Sequence, residues 1–452
     1  MTIRPLVAAE RLRAIADGGE AAMLSPAGAS PHLAQYGISA RDDDGVFTAR
    51  ARVHGHAVLV CAQDETFVGG TAGARHAAAL AMMFERARTE RPAAVVLLLA
   101  SGGVRLHEAN PAELALARAL RSLLDARAAG VPVLALGIGD VFGGVAILAA
   151  AADRLALLAR TRFGVSAAKV IEAAAGKTQI DADNDEAVRA LYGAEARSAT
   201  GLCDLVADDA DVVRTWIATS IRAALPFSEA IAAMHARLAV RLTDIRRTEA
   251  FATLPPSVPA FAEAKRVDAA GALWKLRAAD VYLSRPCGNT SFGPASAWAL
   301  DDALLARLDW GSPQAGATLV VVEDSTGHEA TRRAEAVGLA QFLAHHAAVL
   351  ARLRARGHHV VGLLAGSGGG AAFYVNALQA SLVYALDGAR VVAMPPTAIA
   401  RVTGQDAASL ATRIEDDPLV GHPVHHFASW GGIARILQRA DAQAMLEIAQ
   451  AL

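Results

Sequence analysis

One pattern occurs twice in this chain, and it limits the possible fold more than any other feature. The first copy reads AVVLLLASGGVRL, then a long Ala/Leu/Arg helix, then VPVLALGIGDVFGGVAILAAAADRLALL. The second reads ATLVVVEDSTGHEA, then a similar helix, then HHVVGLLAGSGGGAAFYVNALQASLVYAL. Ser101-Gly102-Gly103 falls where Ser325-Thr326-Gly327 falls. Gly143-Gly144 falls roughly where Gly369-Gly370 falls, so the offset is about 225 residues. That distance is too long for a solenoid repeat and suits a duplicated domain. Each copy reads as a buried strand, a glycine turn, a helix, a second strand and a glycine pair opening another helix. Strands alternating with helices predict an α/β fold.

The rest of the chain fits around the two copies. Residues 1–40 read as a helix followed by a loop. ARDDDGVFTARARVHGHAVLVCAQD reads as a β-hairpin turning near His54-Gly55. FVGGTAGARHAAALAMMFERARTE reads as a loop opening into a helix, with Gly69 and Gly70 at its mouth. NPAELALARALRSLLDARAAG is predicted as a helix with Asn110 as N-cap, Pro111 in the first position and Gly130 at the end. Residues 205–250 read as helical, and Leu254 to Pro259 reads as the linker. The second half repeats the plan: strand TLVVVED, one helix through RRAEAVGLAQFLAHHAAVLARLRARG, strand HHVVGLLAG, one helix through GGAAFYVNALQASLVYAL, strand ARVVAM. The expected domains are residues 1–253 and 254–452.

Composition excludes several classes. With 54% hydrophobic and 19% charged residues over 452 positions, the chain can build large cores and is not a disordered protein. A net charge of −2 without a long basic block argues against a nucleic acid partner. Cys61, Cys203 and Cys287 lie far apart, without metal-ligand spacing, and a reduced cytoplasmic setting is expected. The N-terminal stretch reads as an amphipathic helix, not a signal peptide. The most apolar run, Val141 to Leu158, has Asp140, Asp153 and Arg154 at or near its ends. It reads as a buried helix instead of a membrane span, so no membrane partner is expected.

Other motifs are weaker. Gly176-Lys177-Thr178 resembles the end of a P-loop, but Ile171 stands where its first glycine belongs. Gly366 to Ala371 fits G-x-G-x-x-A after a strand, with Asp387 further on, which keeps a nucleotide-dependent oxidoreductase open; the first copy breaks the pattern at Phe142. His422, His425 and His426 invite a metal reading, but no acidic or cysteine ligand accompanies them and Pro423 interrupts a regular helix, so no metal is expected. His345-His346 reads as a packed or exposed helix face.

Several stretches carry a family resemblance. LLLASGGVRLHEAN and FGGVAILAAAADRLALLARTRFGVSAAKVIE resemble two elements of carboxyltransferase beta subunits. FVGGTAGARHAAAL resembles a loop and helix of the malonate decarboxylase beta subunit, and STGHEATRRAEAVGLAQ and GSGGGAAFYV are similar to its gamma subunit. The resemblance covers residues 45–175 well and 318–405 loosely. The order, beta-like then gamma-like, resembles a fused biotin-independent malonate decarboxylase. It departs in the second half, where the gamma subunit's Ser-Gly falls on Gly370-Ala371 and its Pro-Gly-Gln on Thr326-Gly327-His328.

The resemblance implies two crotonase-like domains of repeated ββα units. It also implies decarboxylation of a malonyl thioester on an acyl carrier protein to an acetyl thioester and CO2. No cofactor would be bound; the substrate would ride on a carrier prosthetic group derived from dephospho-coenzyme A. Expected partners are the carrier, an acyl-carrier transferase subunit and further copies of the chain. Losing CO2 leaves an enolate, and one backbone N–H aimed at its oxygen is worth about 3 kcal/mol in comparable sites. The candidate donors are Gly102, Gly103, Gly143 and Gly144 in the first half and Gly369 and Gly370 in the second. Gly69 and Gly70 would line the substrate. Each pair also reads as a plain tight turn. Arg105 would hold a carboxylate or a phosphate of the carrier arm, or else form a structural ion pair. His328 would supply the proton that quenches the carbanion, or else be a solvated turn histidine. Two alternatives stay open: a biotin-dependent acyl-CoA carboxyltransferase, which would pass the carboxyl group to biotin, and a non-catalytic carrier-binding scaffold of the same fold.

Overall fold

The computed structural model describes residues 1–242, 258–277, 280–284, 290–308 and 316–451. The described chain divides into two units. The first comprises Met1–Glu108, Arg118–Ala230 and Ala330–Ala344; the second comprises Ala109–Ala117, Ile231–Glu329 and His345–Leu452. Each half of the sequence thus lends one short segment to the other half's unit. The boundary expected between residues 253 and 254, most of the linker and Cys287 lie outside the described residues.

The first unit is built on an eight-stranded sheet. Strands β1 (Ala21–Met23), β2 (Val46–Val53) and β3 (His56–Gln63) pair antiparallel. From β3 onward the pairing is parallel, through β4 (Ala94–Ser101), β5 (Val133–Phe142) and β6 (Arg154–Leu158). The short β7 (Phe163–Gly164) pairs with the end of β5, and β8 (Asp204–Val206) closes the row beside β6. The hairpin turns where the sequence put it: His54 and Gly55 have φ of 46° and 78°, the left-handed pair that suits a two-residue turn between twisted strands. Every residue of β4 is buried, as its unbroken apolar run requires for a strand covered on both faces.

The second unit repeats this plan. Strands β9 (Ala264–Arg266), β10 (Leu273–Leu276) and β11 (Val281–Ser284) pair antiparallel. A side pair joins β12 (Thr290–Phe292) to a strand that follows β13 (Thr318–Glu323), namely β14 (Ser325–His328). The main row continues parallel from β11 through β13 to β15 (His359–Leu364). After β16 (Ser367–Gly368) come β17 (Leu382–Leu386), β18 (Arg390–Val391) and β19 (Arg435–Leu437); β17 and β19 complete the parallel row, while β16 pairs with β18. Both sheets run two antiparallel steps and then four parallel ones, so β4 and β13 are counterparts, as are β5 and β15. This is an α/β architecture built on two predominantly parallel sheets. The first core gathers Val60, Leu98, Leu136 and Leu158 under helix Ala8–Ile15; the second gathers Leu283, Val322, Leu363 and Met445.

Several expectations need correction. Asn110 does not cap its helix: Ala109–Ala128 starts two residues earlier than expected, and the Asn110 amide instead donates to the carbonyls of Pro418 at 3.0 Å and Gly421 at 2.8 Å. The helix expected from Arg332 onward is two, Arg332–Val337 and Leu339–Ala355, because Gly338 takes a φ of 102°. The run Val141 to Leu158, which, weighed against a membrane span, reads as a buried helix, ends β5, forms helix Gly143–Ala150 and then becomes β6, where LALLA, Leu155 to Ala159, reads as a strand. Likewise the helix at Gly370–Val375 stops at Asn376, and Leu382–Leu386 is drawn into the sheet between β15 and β19. In both runs sheet pairing overrides helix propensity. The stretch read as helical from residue 205 begins in β8 and continues as helices Ala210–Arg222 and Phe227–Arg241; residues 243–250 lie outside the described residues. β1 had no signal in the sequence reading.

Candidate active site

In the first unit, three loops meet beyond the carboxyl ends of β3, β4 and β5, the edge where parallel α/β sheets bind ligands. The Gly69 carbonyl accepts the Gly102 amide at 3.0 Å, and the Gly70 carbonyl accepts the Ser101 hydroxyl at 2.7 Å. The Ser101 oxygen in turn accepts the Gly103 amide at 3.1 Å. Gly143 opens helix Gly143–Ala150 and donates its amide to the Val165 carbonyl at 3.1 Å. The structure therefore brings together five of the expected glycines, and it also engages the amides of Gly102, Gly103 and Gly143 within the fold. What Gly103 and Gly143 contribute is close approach. A Cβ on Gly143 would stand 3.1 Å from the Gly103 Cα, and both residues have positive φ, +61° and +102°. Gly144 is the second residue of the same helix and, with Gly69 and Gly102, remains on the accessible lip.

Arg105 is wholly buried beneath this lip. Its guanidinium meets Asp44 at 2.6 Å and Glu108 at 3.6 Å, donates to the Thr71 carbonyl at 3.0 Å, and lies 5.2 Å from the Phe67 ring centre. Glu108 also accepts the Ala74 amide at 2.9 Å and the Ser30 hydroxyl. The geometry is that of the structural ion pair: Asp44 supplies the carboxylate that Arg105 was read as taking from substrate. His76 stands in the same network, its side chain 2.9 Å from that of Gln63; burial, with Arg105 second, pulls its pKa down to about 3. Nothing near Arg105 in sequence pointed to Asp44 or His76.

Glu335 fixes the other wall. Its Oε1 accepts the amides of Val165 at 3.0 Å and Ser166 at 2.6 Å, and its Oε2 lies 3.4 Å from Arg197. Burial pushes its carboxyl up to about 7 against the pull of Arg197. Val165 is the residue whose carbonyl takes the Gly143 amide, so Glu335 sets the position of that helix start at one remove. Its partners lie 138 to 170 residues away in sequence, which is why it carried no local signal.

The second unit forms a matching turn. The Ser325 oxygen accepts the Gly327 amide at 3.3 Å, as Ser101 does for Gly103, but its own proton goes to the Glu323 carboxylate instead of a carbonyl. Gly370 opens helix Gly370–Val375 with Gly369 at its cap. Gly370 is the counterpart of Gly143: each opens a helix after the third parallel strand with positive φ, 48° and 61°. His328 is brought to this turn, with its Nδ1 3.6 Å from where a Gly370 Cβ would sit. The residue is partly exposed, yet its ring is enclosed, and burial pulls its pKa down to about 4. At neutral pH it is therefore an uncharged imidazole.

The remaining motifs resolve simply. Gly366 to Ala371 form β16 and the start of a six-residue helix. His346 is buried, with its Nδ1 2.7 Å from Asp301. Among the described residues no group of three or more His, Cys, Asp or Glu side chains could hold a metal ion, and no helix is long and apolar enough to cross a membrane.

Comparison with known proteins places these features. Residues 6–257 match the carboxyl transferase domain, and residues 288–452 match the malonate decarboxylase gamma subunit. The chain is similar to a malonyl-S-ACP:biotin-protein carboxyltransferase of Malonomonas rubra, 31% identical over 42% of this chain and 64% of that protein. It is also similar to an acetyl-coenzyme A carboxylase carboxyl transferase subunit beta of Roseiflexus, 30% identical over 29% of this chain and 43% of that one. The match thus spans less than two thirds of either relative. A solved Pseudomonas malonate decarboxylase hetero-tetramer in complex with malonate is 33% identical over 50% of this chain and 85% of its own, with a TM-score of 0.46. The beta-like part precedes the gamma-like part, in the order read from the sequence. With more than half its length matched by one domain model, the chain belongs to the carboxyl transferase family.

Proposed function

We propose that the chain decarboxylates a malonyl thioester carried by an acyl carrier protein, as a malonate decarboxylase with its beta-like part at residues 1–253 and its gamma-like part at 254–452. The observation that carries this reading is the pairing of a carboxyl transferase match with a malonate decarboxylase gamma match on one chain. The Malonomonas relative is named for malonyl-S-ACP, which supports a malonyl group on a protein carrier. In this reading the positive end of helix Gly143–Ala150 takes the thioester oxygen while the Gly143 amide itself stays on Val165, and Gly69, Gly70, Gly102 and Gly103 shape the lip that admits the acyl group. Loss of CO2 moves the bonding electron pair onto that oxygen, and the positive end of the helix stabilises it. Within the second unit, the turn at Gly369-Gly370 is the seat for a carboxylate. At the second-unit turn His328, an uncharged imidazole, relays a proton: its N–H gives one up as the other ring nitrogen takes one from water. The carrier's prosthetic group, derived from dephospho-coenzyme A, brings the thioester; an acyl-carrier transferase subunit loads it, the chain self-associates, and the setting is cytoplasmic.

A second reading, carboxyl transfer to a biotin protein, is favoured by the name of the same Malonomonas relative. Purified chain given malonyl thioester, on coenzyme A and on carrier protein, without ATP or biotin, separates the two. Acetyl thioester in the mass spectrum is expected. No product from folded protein until a biotinylated acceptor is added would replace the first reading with the second.

A further inference from the structure

The lip of the first unit holds a strained residue that the chemistry above leaves unused. Val68, Gly69 and Gly70 follow one another with φ of 48°, 64° and 65°, all on the left-handed side. Glycine takes such angles freely, whereas a side chain branched at Cβ crowds its own backbone there. Among the described residues five besides glycine have positive φ, namely Asp44, His54, Val68, Arg91 and Arg160, and Val68 is the one with a branched Cβ. His54 turns the β2–β3 hairpin and Arg91 caps helix Ala74–Glu90, both common places for a single left-handed residue.

The surroundings of Val68 force this turn. The Gly70 amide donates to the Phe67 carbonyl at 2.9 Å, and the Val68 carbonyl accepts the Thr71 amide at 3.2 Å and the Thr71 hydroxyl at 2.7 Å. The Gly69 and Gly70 carbonyls take the Gly102 amide and the Ser101 hydroxyl. A Cβ on Gly70 would stand 2.1 Å from the Ala100 carbonyl oxygen, so that position admits only glycine. Position 68 is different. Residue 68 enters these bonds through its carbonyl, so a glycine there would keep them all and release the strain. What valine adds is its side chain, half-buried on the lip beside the exposed Gly69. Phe67 already fills the interior below, with the Arg41 and Arg105 guanidinium groups 5.0 and 5.2 Å from its ring centre.

We propose that Val68 is a specificity-determining residue of the first-unit site: its branched side chain narrows the lip, so that an unbranched malonyl group enters and a methyl-branched one is turned away. This rests on the malonyl thioester reading, in which Gly69, Gly70, Gly102 and Gly103 shape the lip. The glycines leave room for the acyl group, and the branched side chain next to them sets how much. One methyl group against an apolar wall is discriminated about 10- to 200-fold.

The test measures affinity and kcat/KM for malonyl-coenzyme A and methylmalonyl-coenzyme A in the native protein, Val68→Gly and Val68→Ala. The native protein should prefer the malonyl thioester by about tenfold or more. In Val68→Gly that preference should shrink about tenfold, through gain of the methylmalonyl thioester, with a melting temperature no lower than native because the strain is gone. Val68→Ala keeps a Cβ and loses the branch, so it should relax the preference without that gain in stability. A native protein without the preference, a folded variant that keeps it, or an equal change for both thioesters overturns the inference. Failure of Val68→Gly to fold also overturns it, since the turn would then need valine for stability and not for selection. Affinities that shift as expected without any CO2 release would instead sink the decarboxylase reading and leave this inference standing.

Discussion

Replacing Glu113 with glutamine should stabilise the protein, and more so as pH rises. Its carboxyl is buried, unpartnered and near Glu323, and its pKa is pushed from 4.5 to about 8. Between those values the folded chain keeps a proton that the unfolded chain releases. Stability falls as pH rises wherever the native state binds more protons, so Glu113 contributes a loss of about 1.4 kcal/mol per pH unit. That loss begins near pH 4.5 and levels off above about pH 8. From pH 5.5 to 7.5, with coupling to Glu323 and partial ionisation, the effect is about 2 kcal/mol. Glu113→Gln has no such slope. Its amide also lacks ready partners, but that cost does not vary with pH. Glu323 and Glu335 titrate in both proteins and largely cancel in the difference. Urea unfolding of both proteins at the two pH values gives the double difference. A gap between variant and native that stays constant, or narrows toward alkaline pH, would refute the reasoning.

Other substitutions test the first-unit lip. Gly143→Ala places a Cβ 3.1 Å from the Gly103 Cα at a φ of +61°. It should cost about 1–3 kcal/mol in unfolding free energy and lower kcat at least tenfold with the fold retained, as read by thermal melts and CO2 release. Arg105→Ala leaves Asp44 and Glu108 buried without their cation. It should cost about 3–5 kcal/mol by chemical denaturation; an unchanged stability with a raised KM would return Arg105 to the role of substrate holder.

How much of this was legible in the sequence varied with distance along the chain. The duplication, the hairpin at His54-Gly55 and the buried strands at Ala94–Ser101 and His359–Leu364 are local signals: apolar runs, turn residues and glycines at fixed offsets. The glycine loops were legible for the same reason, since a chain that must approach itself closely leaves glycine at the contact. Their hydrogen bonds were not. Whether the Gly143 amide faces a ligand or the Val165 carbonyl depends on where Glu335 holds that loop, 170 residues away. The same holds for Leu382–Leu386, whose apolar composition suits a helix or a strand until β15 and β19 are beside it.

The sequence by itself determined a twice-repeated α/β plan and the glycine turns on which a site is built, because periodicity and backbone freedom are properties of neighbouring residues. Only the tertiary structure decided that Arg105 braces the lip from within, that Gly370 and not Gly369 is the counterpart of Gly143, and that Glu113, Glu323 and His346 are all buried. Those outcomes depend on burial and on electrostatics between residues far apart in the chain, and a string of residues records neither until it is packed.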